Sequence, residues 1–557
     1  MNAKVGAIVW GVLSMGILVG FEYASQYRED VFVKSTYFFM FGLLSFFCVL
    51  LGRSRTLSLR WQSLQPHRWP LAAIAILLVI VYVSVPFEIR VLADESNLIS
   101  VSRSMLDTKE TVNSISGKFY YESYHSTHDT PPIRPPLFPF GVHLVHALFG
   151  YAPENAGWFN LFLLAVLFSV VYYWGNRFGD RWSGLGTVFL VASIPIVSLC
   201  ARSGGFDLLS AVLLLLCLGQ LYRYEEKVDS HSLWLLWGVV ILFSHARYEN
   251  VLLMPLIAVY ILHDPSLREP MIQRASMLSV ATFFFLLPKW FQMRLSQGKY
   301  ENDSTSLLSP AHWWENVQSF VAAQFDMSFV LPYNPIAIWG AAIGLLWMLH
   351  SFWRIRLPGR VFFYLFPSFL FTMIFLAHFL GDYQNNTTMR FYFVLHNTES
   401  LVLGFVISRV WNGRLVLICG LLSFLLYHPI AVRNEYLKAL LYPREMHRLY
   451  DFLEPYRSQN VLFLTDMPGA IVIFDVGALS IEYANLNVDE IQQEWRERLF
   501  EEIFVVQRVS FTDGKPIADD TLNARFRLET LISHQTSDEY FLRISRVLEM
   551  NDESLPP

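Results

Sequence analysis

The residues of this 557-residue chain best suited to chemistry are ionisable groups set at the edges of apolar runs. Asp94 and Glu95 are adjacent carboxylates just after one run, and Arg202 and Asp207 stand between two others. His245, Arg247 and Glu249 crowd one short connection, and Arg390 opens a later run. A carboxylate held away from water can take a proton, and a guanidinium can grip a phosphate through paired N–H donors. Arg134 is the clearest example of the second kind. It lies in His128-Asp129-Thr130-Pro131-Pro132-Ile133-Arg134-Pro135-Pro136, where the prolines fix φ and keep the backbone extended, so its guanidinium is presented from a stiff segment. Taken singly, the other charges read equally well as anchors of helix ends at an interface.

The elements that must position these groups are membrane helices. Only 16% of the chain is charged and 54% is hydrophobic, with a mean hydropathy of +0.37, whereas soluble proteins run near 25% charged. A formal net charge of −5 without a dense basic run excludes a nucleic-acid partner. Apolar runs predict an all-α polytopic membrane protein with thirteen spans, near 5–22, 36–52, 70–88, 158–175, 183–200, 207–222, 232–246, 249–263, 275–291, 335–351, 361–380, 391–408 and 414–429. Arg53, Arg55, Arg60 and Arg68 set the connection after the second span inside. Alternation then places sixteen basic residues inside, Arg356 among them, and only Arg28, Lys34, Arg202, Arg247 and Arg390 in short outer connections. On this topology the unusual polar residues gather on the outer face. The run Leu137–Phe149 is too short to span, and a crossing there would invert every later loop, so it is expected to be re-entrant or to lie on the outer surface.

The expected domains are a membrane domain over 1–430, with outer loops 89–157 and 292–334, and a soluble extracytoplasmic α/β domain over 431–557. In the latter, Val461–Thr465, Ala478–Tyr483, Ile503–Val509, Arg525–Ile532 and Tyr540–Val547 read as strands and Asp489–Phe500 as a helix. It shows no catalytic motif and is expected to help bind or position an acceptor.

An acidic pair after an early span, an Arg and a Met-Leu some ten residues on, then a basic-Pro-Pro-Leu block leading into an apolar half-helix that ends in Phe-Gly, resembles the GT-C glycosyltransferases. Within them it is nearest the protein O-mannosyltransferases and lipid A aminoarabinose transferases. The elements here are Asp94-Glu95, Arg103, Met105-Leu106, Arg134-Pro135-Pro136-Leu137, Phe149-Gly150, Arg177-Phe178-Gly179 and Arg202-Ser-Gly-Gly-Phe-Asp207, which cover about residues 70–265. Two spans more than the family pattern precede the first long loop, and Arg134 stands where the aminoarabinose transferases usually have Lys. The resemblance implies a GT-C fold and transfer of a sugar, with inversion, from a dolichyl- or polyprenyl-phosphate donor to a hydroxyl of a protein, lipid or glycan on the outer side. By motif position it assigns the base to Asp94, an orienting or acceptor-binding role to Glu95, and an assisting role to Asp207. Arg134, Arg247 and Arg390 are candidates for the donor phosphate, and Arg103, His128, Arg202 and Glu249 for further substrate contacts.

No cofactor is required by this reading. A divalent metal ion is left open, because His125, His128, Asp129 and Glu95 offer an imidazole and carboxylate ligand set. The expected location is the bacterial inner membrane, with the active site facing the periplasm or exterior. A transporter or flippase of a lipid-linked sugar is the alternative, since it would share the phosphate-binding arginines but need no base.

Overall fold

The computed structural model describes residues 29–53, 67–121, 123–295, 308–325, 333–355, 360–384, 388–433, 441–517, 520–536 and 539–551. The expected span 5–22, and Arg55, Asn302 and Arg356 of the expected topology, lie outside them. The chain divides into two compact units. A membrane unit comprises Met1–Phe87, Ile133–Gly141 and Gly157–Tyr436, and an α/β unit comprises Glu88–Pro132, Val142–Ala156 and Leu437–Pro557.

The membrane unit is helical because its apolar runs leave no backbone group that lipid could satisfy, so each N–H and C=O must be paired within its own segment. Among the described residues six helices are long and apolar enough to cross a membrane, Phe32–Arg53, Asn155–Phe178, Asp207–Glu226, Arg268–Trp290, Met389–Val410 and Gly413–Arg433. The expected span 183–200 is instead broken. Helices Arg181–Ala192 and Pro195–Ala201 meet at 78° and count as a seventh crossing if taken together, because Pro195 cannot donate the hydrogen bond that would continue the first helix. Arg68–Ser84, Ser230–Ser244 and Glu249–His263 are apolar but shorter. Among the described residues, length and composition thus give six crossings, or seven with the bent pair, and do not confirm the count of thirteen.

Close packing in this unit depends on small residues. Gly186 lies against the Val416–Leu417 backbone, where any side chain would collide. This lets helices Arg181–Ala192 and Gly413–Arg433 approach, with Leu190, Ile407 and Val416 buried between neighbours. Asn334 Nδ2 donates to Ser193 Oγ and Ser423 Oγ, both at 2.7 Å, satisfying polar groups that lipid would leave bare.

The α/β unit holds a seven-stranded sheet, β1 Asn113–Tyr120, β2 Ser123–Thr130, β3 Val461–Thr465, β4 Gly477–Ser480, β5 Glu502–Ser510, β6 Phe526–Gln535 and β7 Tyr540–Met550. Its order is β2-β1-β4-β3-β5-β7-β6, with β3 parallel to β4 and β5 and the other pairs antiparallel. The five strands expected after residue 460 are present, although the second stops at Ser480, whose side chain caps helix Ile481–Leu486. Leu462, Leu464, Ile503 and Val505 form a core with Ile481, Val488 and Ile491 of the following helices. Phe452 of helix Leu441–Leu453 packs on Phe463 and Phe504.

The structure differs from the sequence reading in where this sheet begins. Loop 89–157, assigned above to the membrane domain, supplies β1 and β2, and β1 pairs with β4 through Gly117 and Ala478. These strands were hidden because β1 is polar yet buried. Asn113, Ser114, Ser116 and Lys118 are all buried, and the Lys118 Nζ is satisfied by Glu490 at 3.0 Å and Glu494 at 2.7 Å. Burial alone would lower the lysine pKa, but hydrogen bonds to Glu494 and Glu490 outweigh it and raise it.

Candidate functional site

In the membrane unit, four of the expected site residues come together. Asp207 opens helix Asp207–Glu226, where the positive end of the helix dipole favours a carboxylate. Its Oδ1 accepts from Arg247 Nη1, and its Oδ2 faces Arg390 Nη1 at 3.4 Å. Arg247 also gives its Nε–H to Glu249 Oε1 at 2.5 Å. Arg247 reaches this position from the turn after helix Ser230–Ser244, and Arg390 from the short 3-10 helix Met389–Tyr392. Asp207, Arg247 and Arg390 are buried. Phe206, Phe375 and Phe391 place their rings 5.0–5.3 Å from the Arg247 guanidinium carbon, so their π-faces support a cation in an apolar setting.

Two further groups tie the Arg247 turn in place. Lys289, buried on helix Arg268–Leu295, donates Nζ to the Arg247 carbonyl at 2.9 Å and lies 4.7 Å from the Tyr248 ring centre. The Tyr248 hydroxyl in turn donates to the Ile133 carbonyl, which fixes the residue preceding Arg134. The Pro135-Pro136 end then enters helix Leu137–Phe149 with Phe140 N–H bonding Pro136 O at 3.0 Å, and Gly150 ends that helix with φ +84. Lys289 is the residue that sequence reasoning missed. The signal was a lone lysine closing the apolar run Phe283-Phe284-Phe285-Leu286-Leu287-Pro288, which within a membrane helix marks function or pairing.

Arg202 has a different task in the same unit. Its Nε donates to the Val85 carbonyl at 3.0 Å, and its guanidinium carbon lies 4.7 Å from the Tyr82 ring centre. The loop after it is held by Asn160 Nδ2, which donates to the Ser203 and Gly205 carbonyls at 2.7 and 2.9 Å.

The remaining expected residues belong to the α/β unit. Asp94 and Glu95 are buried in the first turn of helix Leu92–Asp107. Glu95 Oε2 accepts the Arg90 N–H at 3.1 Å, so this carboxylate closes the helix start. Arg103, later on that helix, is engaged on every side. It donates to Val472 O at 2.9 Å, pairs with Asp475 at 2.5 Å and Asp107 at 3.5 Å, and stacks over Tyr124 and Tyr151. Burial would lower its pKa, but Tyr151, Asp475, Tyr124 and Asp107 outweigh burial and raise it. Burial pushes the Tyr124 hydroxyl up to about 12.

His128 and its neighbours are exposed on β2, the edge strand. His125 stacks on Tyr120 at 4.3 Å, and Asp129 accepts from Ser126 Oγ at 2.5 Å. Among the described residues no three His, Cys, Asp or Glu side chains gather as a metal site. A second buried ionic group joins β5 to its surroundings. Arg508 bonds Asp520 at 3.1 Å and pairs with Asp466, and Glu445 Oε1 accepts from Thr536 at 3.0 Å. Burial pushes the Glu445 carboxyl up to about 7, against the opposing effects of Thr536 and Arg508.

Apolar helices of membrane length and charged groups buried at their ends define an integral membrane protein, and part of the chain matches a family model. The match is to the family described as dolichyl-phosphate-mannose-protein mannosyltransferase, whose model fits residues 133–290. That segment holds Arg134, Asp207, Arg247, Glu249 and Lys289, whereas Asp94, Arg103, His128 and Arg390 lie outside it. No curated protein matches the chain. Among solved structures, the oligosaccharyltransferase of Archaeoglobus fulgidus in the apo form is 11% identical, with a TM-score of 0.44 over 79% of this chain and 69% of that one. The same enzyme in complex with Zn and sulfate has a TM-score of 0.46 at 11% identity, over 85% and 72%. ArnT from Cupriavidus metallidurans bound to undecaprenyl phosphate is 12% identical, with a TM-score of 0.42 over 86% and 98%.

Proposed function

We propose that the protein moves a sugar from a polyprenyl-phosphate donor to an acceptor hydroxyl of a protein, lipid or glycan on the outer side of the membrane, with inversion at the anomeric carbon. The observation that supports this most is the buried convergence of Arg247 and Arg390 on Asp207, with Lys289 and the Arg134 segment tied to the same turn. Cations collected at the end of a membrane helix among phenyl rings suit a phosphate that arrives on a lipid chain.

Asp207 and Glu249 hold the Arg247 guanidinium through Nη1 and Nε, and Nη2 is the face left to an anion. In the transfer, the acceptor oxygen attacks the anomeric carbon as its proton passes to a carboxylate. The carbon–oxygen bond to phosphate breaks, and the leaving phosphate takes the electron pair, where the arginines stabilise it. The base role is assigned to Asp94 on motif position. Asp207, clasped by two arginines, is the group that orients them. Arg103 and Arg202, committed to Asp475 and to the Val85 carbonyl, are read as structural.

The test is reconstituted full-length protein with a panel of polyprenyl-phosphate sugars, scored separately for transfer and for movement across the bilayer. Transfer supports the reading. Movement of the donor without transfer supports the flippase instead.

A further inference from the structure

A groove runs along the membrane unit between helices Asn155–Phe178 and Asp207–Glu226, away from the residues assigned to transfer. Phe162, Val166, Val170 and Tyr173 form one wall at three- and four-residue spacing, and Leu216 with Gly219 forms much of the other. At one end of it Trp174 and Tyr222 pack edge to face at 5.4 Å. There Arg177 Nη2 pairs with Glu226 Oε1 at 2.6 Å, so those two charges cancel. At Gly219 an added Cβ would meet Trp174 at 3.5 Å, an ordinary contact, so the position has room for a methyl group and a larger side chain would fill the floor.

Arg223 lines the same end and is half-buried. Among the described residues its guanidinium has no hydrogen-bond or ion-pair partner. The groove therefore presents an apolar trough ending in one uncompensated positive charge. From Phe162 to Tyr173 the helix rises roughly 17 Å, close to the roughly 15 Å of hydrocarbon in one leaflet. Tyr173, half exposed, sits where an interfacial aromatic is expected. Asp207 begins the helix that carries Arg223, about 24 Å away along the axis. The charged end of the groove is thus near the membrane face opposite the Asp207–Arg247–Arg390 cluster.

We propose that this groove binds an anionic glycerophospholipid of the opposite leaflet, with an acyl chain along the Phe162–Tyr173 wall and the phosphate on Arg223. Charge decides the class. A net-anionic headgroup balances Arg223, whereas a zwitterionic one brings an ammonium to a site whose only carboxylate, Glu226, is already paired. The site is separate from the donor's, because a polyprenyl phosphate engaged by Arg247 and Arg390 approaches from the other face.

The test is native mass spectrometry of the full-length protein after equilibration with vesicles of equal phosphatidylglycerol and phosphatidylcholine. The wild type is expected to retain one phosphatidylglycerol per chain, several-fold over phosphatidylcholine. Arg223→Gln should abolish that preference, and Gly219→Leu should block retention of both lipids, while undecaprenyl phosphate binding stays at the wild-type level in each. Equal retention of the two lipids by the wild type overturns the proposal, as does wild-type preference in Arg223→Gln. Loss of undecaprenyl phosphate binding in Arg223→Gln also overturns it, because the groove would then serve the donor. Thermal melts establish that each variant folds, and Arg223→Gln carries the test alone if Gly219→Leu does not. Failure here leaves the glycosyltransferase reading untouched, since that rests on sugar transfer.

Discussion

The membrane unit and the α/β unit both bury arginines against carboxylates, yet they use them differently. In the α/β unit, Arg103 spends its donors on Asp475, Asp107 and the Val472 carbonyl, and Arg508 spends its own on Asp520 and Asp466. Each of these cations is matched or outnumbered by carboxylates, as a structural ion network requires when charges leave water. In the membrane unit, Arg247 and Arg390 share Asp207, and Lys289 adds a third cation to the same turn. Glu249, paired with Arg247, and phenyl rings complete that environment, so three cations meet two carboxylates. A buried site where cations outnumber carboxylates is suited to an incoming anion, and a site where carboxylates match or outnumber the guanidinium is suited to holding a fold. Burial alone does not separate them.

The largest effect expected bears on a residue outside both networks. Asp94→Asn keeps the shape of the carboxylate but cannot take the acceptor proton, so turnover should fall by roughly 10² to 10⁴-fold. Undecaprenyl phosphate binding should survive, as measured on purified, folded protein. If Asp207→Asn is dead while Asp94→Asn turns over normally, the base is Asp207 and the comparison must be redrawn.

Arg103→Met sharpens the contrast from the structural side. It leaves Asp475 and the Val472 carbonyl without their donor, and breaking a buried pair costs about 3–5 kcal/mol. The α/β unit should melt earlier in a denaturation series, with undecaprenyl phosphate affinity unchanged in the protein that remains folded. A loss of that affinity at full stability would return Arg103 to the substrate contacts.

A pH effect on stability is expected from Glu445. Its folded pKa is about 7 against an ordinary value of 4.5, so the folded state binds the proton more tightly. The resulting stability is fully present below about pH 4.5 and is lost as pH rises through 7, on the order of 3 kcal/mol in all. Glu445→Gln, neutral throughout, should flatten that part of the melting profile.

The smallest effect concerns the stiff proline segment. Arg134→Ala should weaken undecaprenyl phosphate binding by about 1.5–3 kcal/mol, the range of a charge-assisted hydrogen bond. Arg134→Lys should recover part of it, since a point charge keeps the attraction but not the fork. Equal affinity in all three proteins, measured by titration, would leave the phosphate to Arg247 and Arg390.

Much of this was legible in the sequence because it is a local property. Apolar runs place the helices, period-two patterning places the five later strands, and the turn carrying His245, Arg247 and Glu249 lies where the runs on either side leave it. Four prolines around Arg134 declare a stiff backbone without reference to anything else. Tertiary structure alone decided the rest, since it depends on which distant groups meet. The polar run Asn113–Tyr120 becomes a buried strand only because β4, some 360 residues later, pairs with it and Glu490 and Glu494 neutralise Lys118. Arg103 and Arg247 look alike as lone arginines in the sequence. One meets Asp475, Asp107 and a carbonyl, the other Glu249 and a carboxylate it must share with Arg390 beside Lys289, and that balance, not residue type, separates a structural cation from a candidate for phosphate.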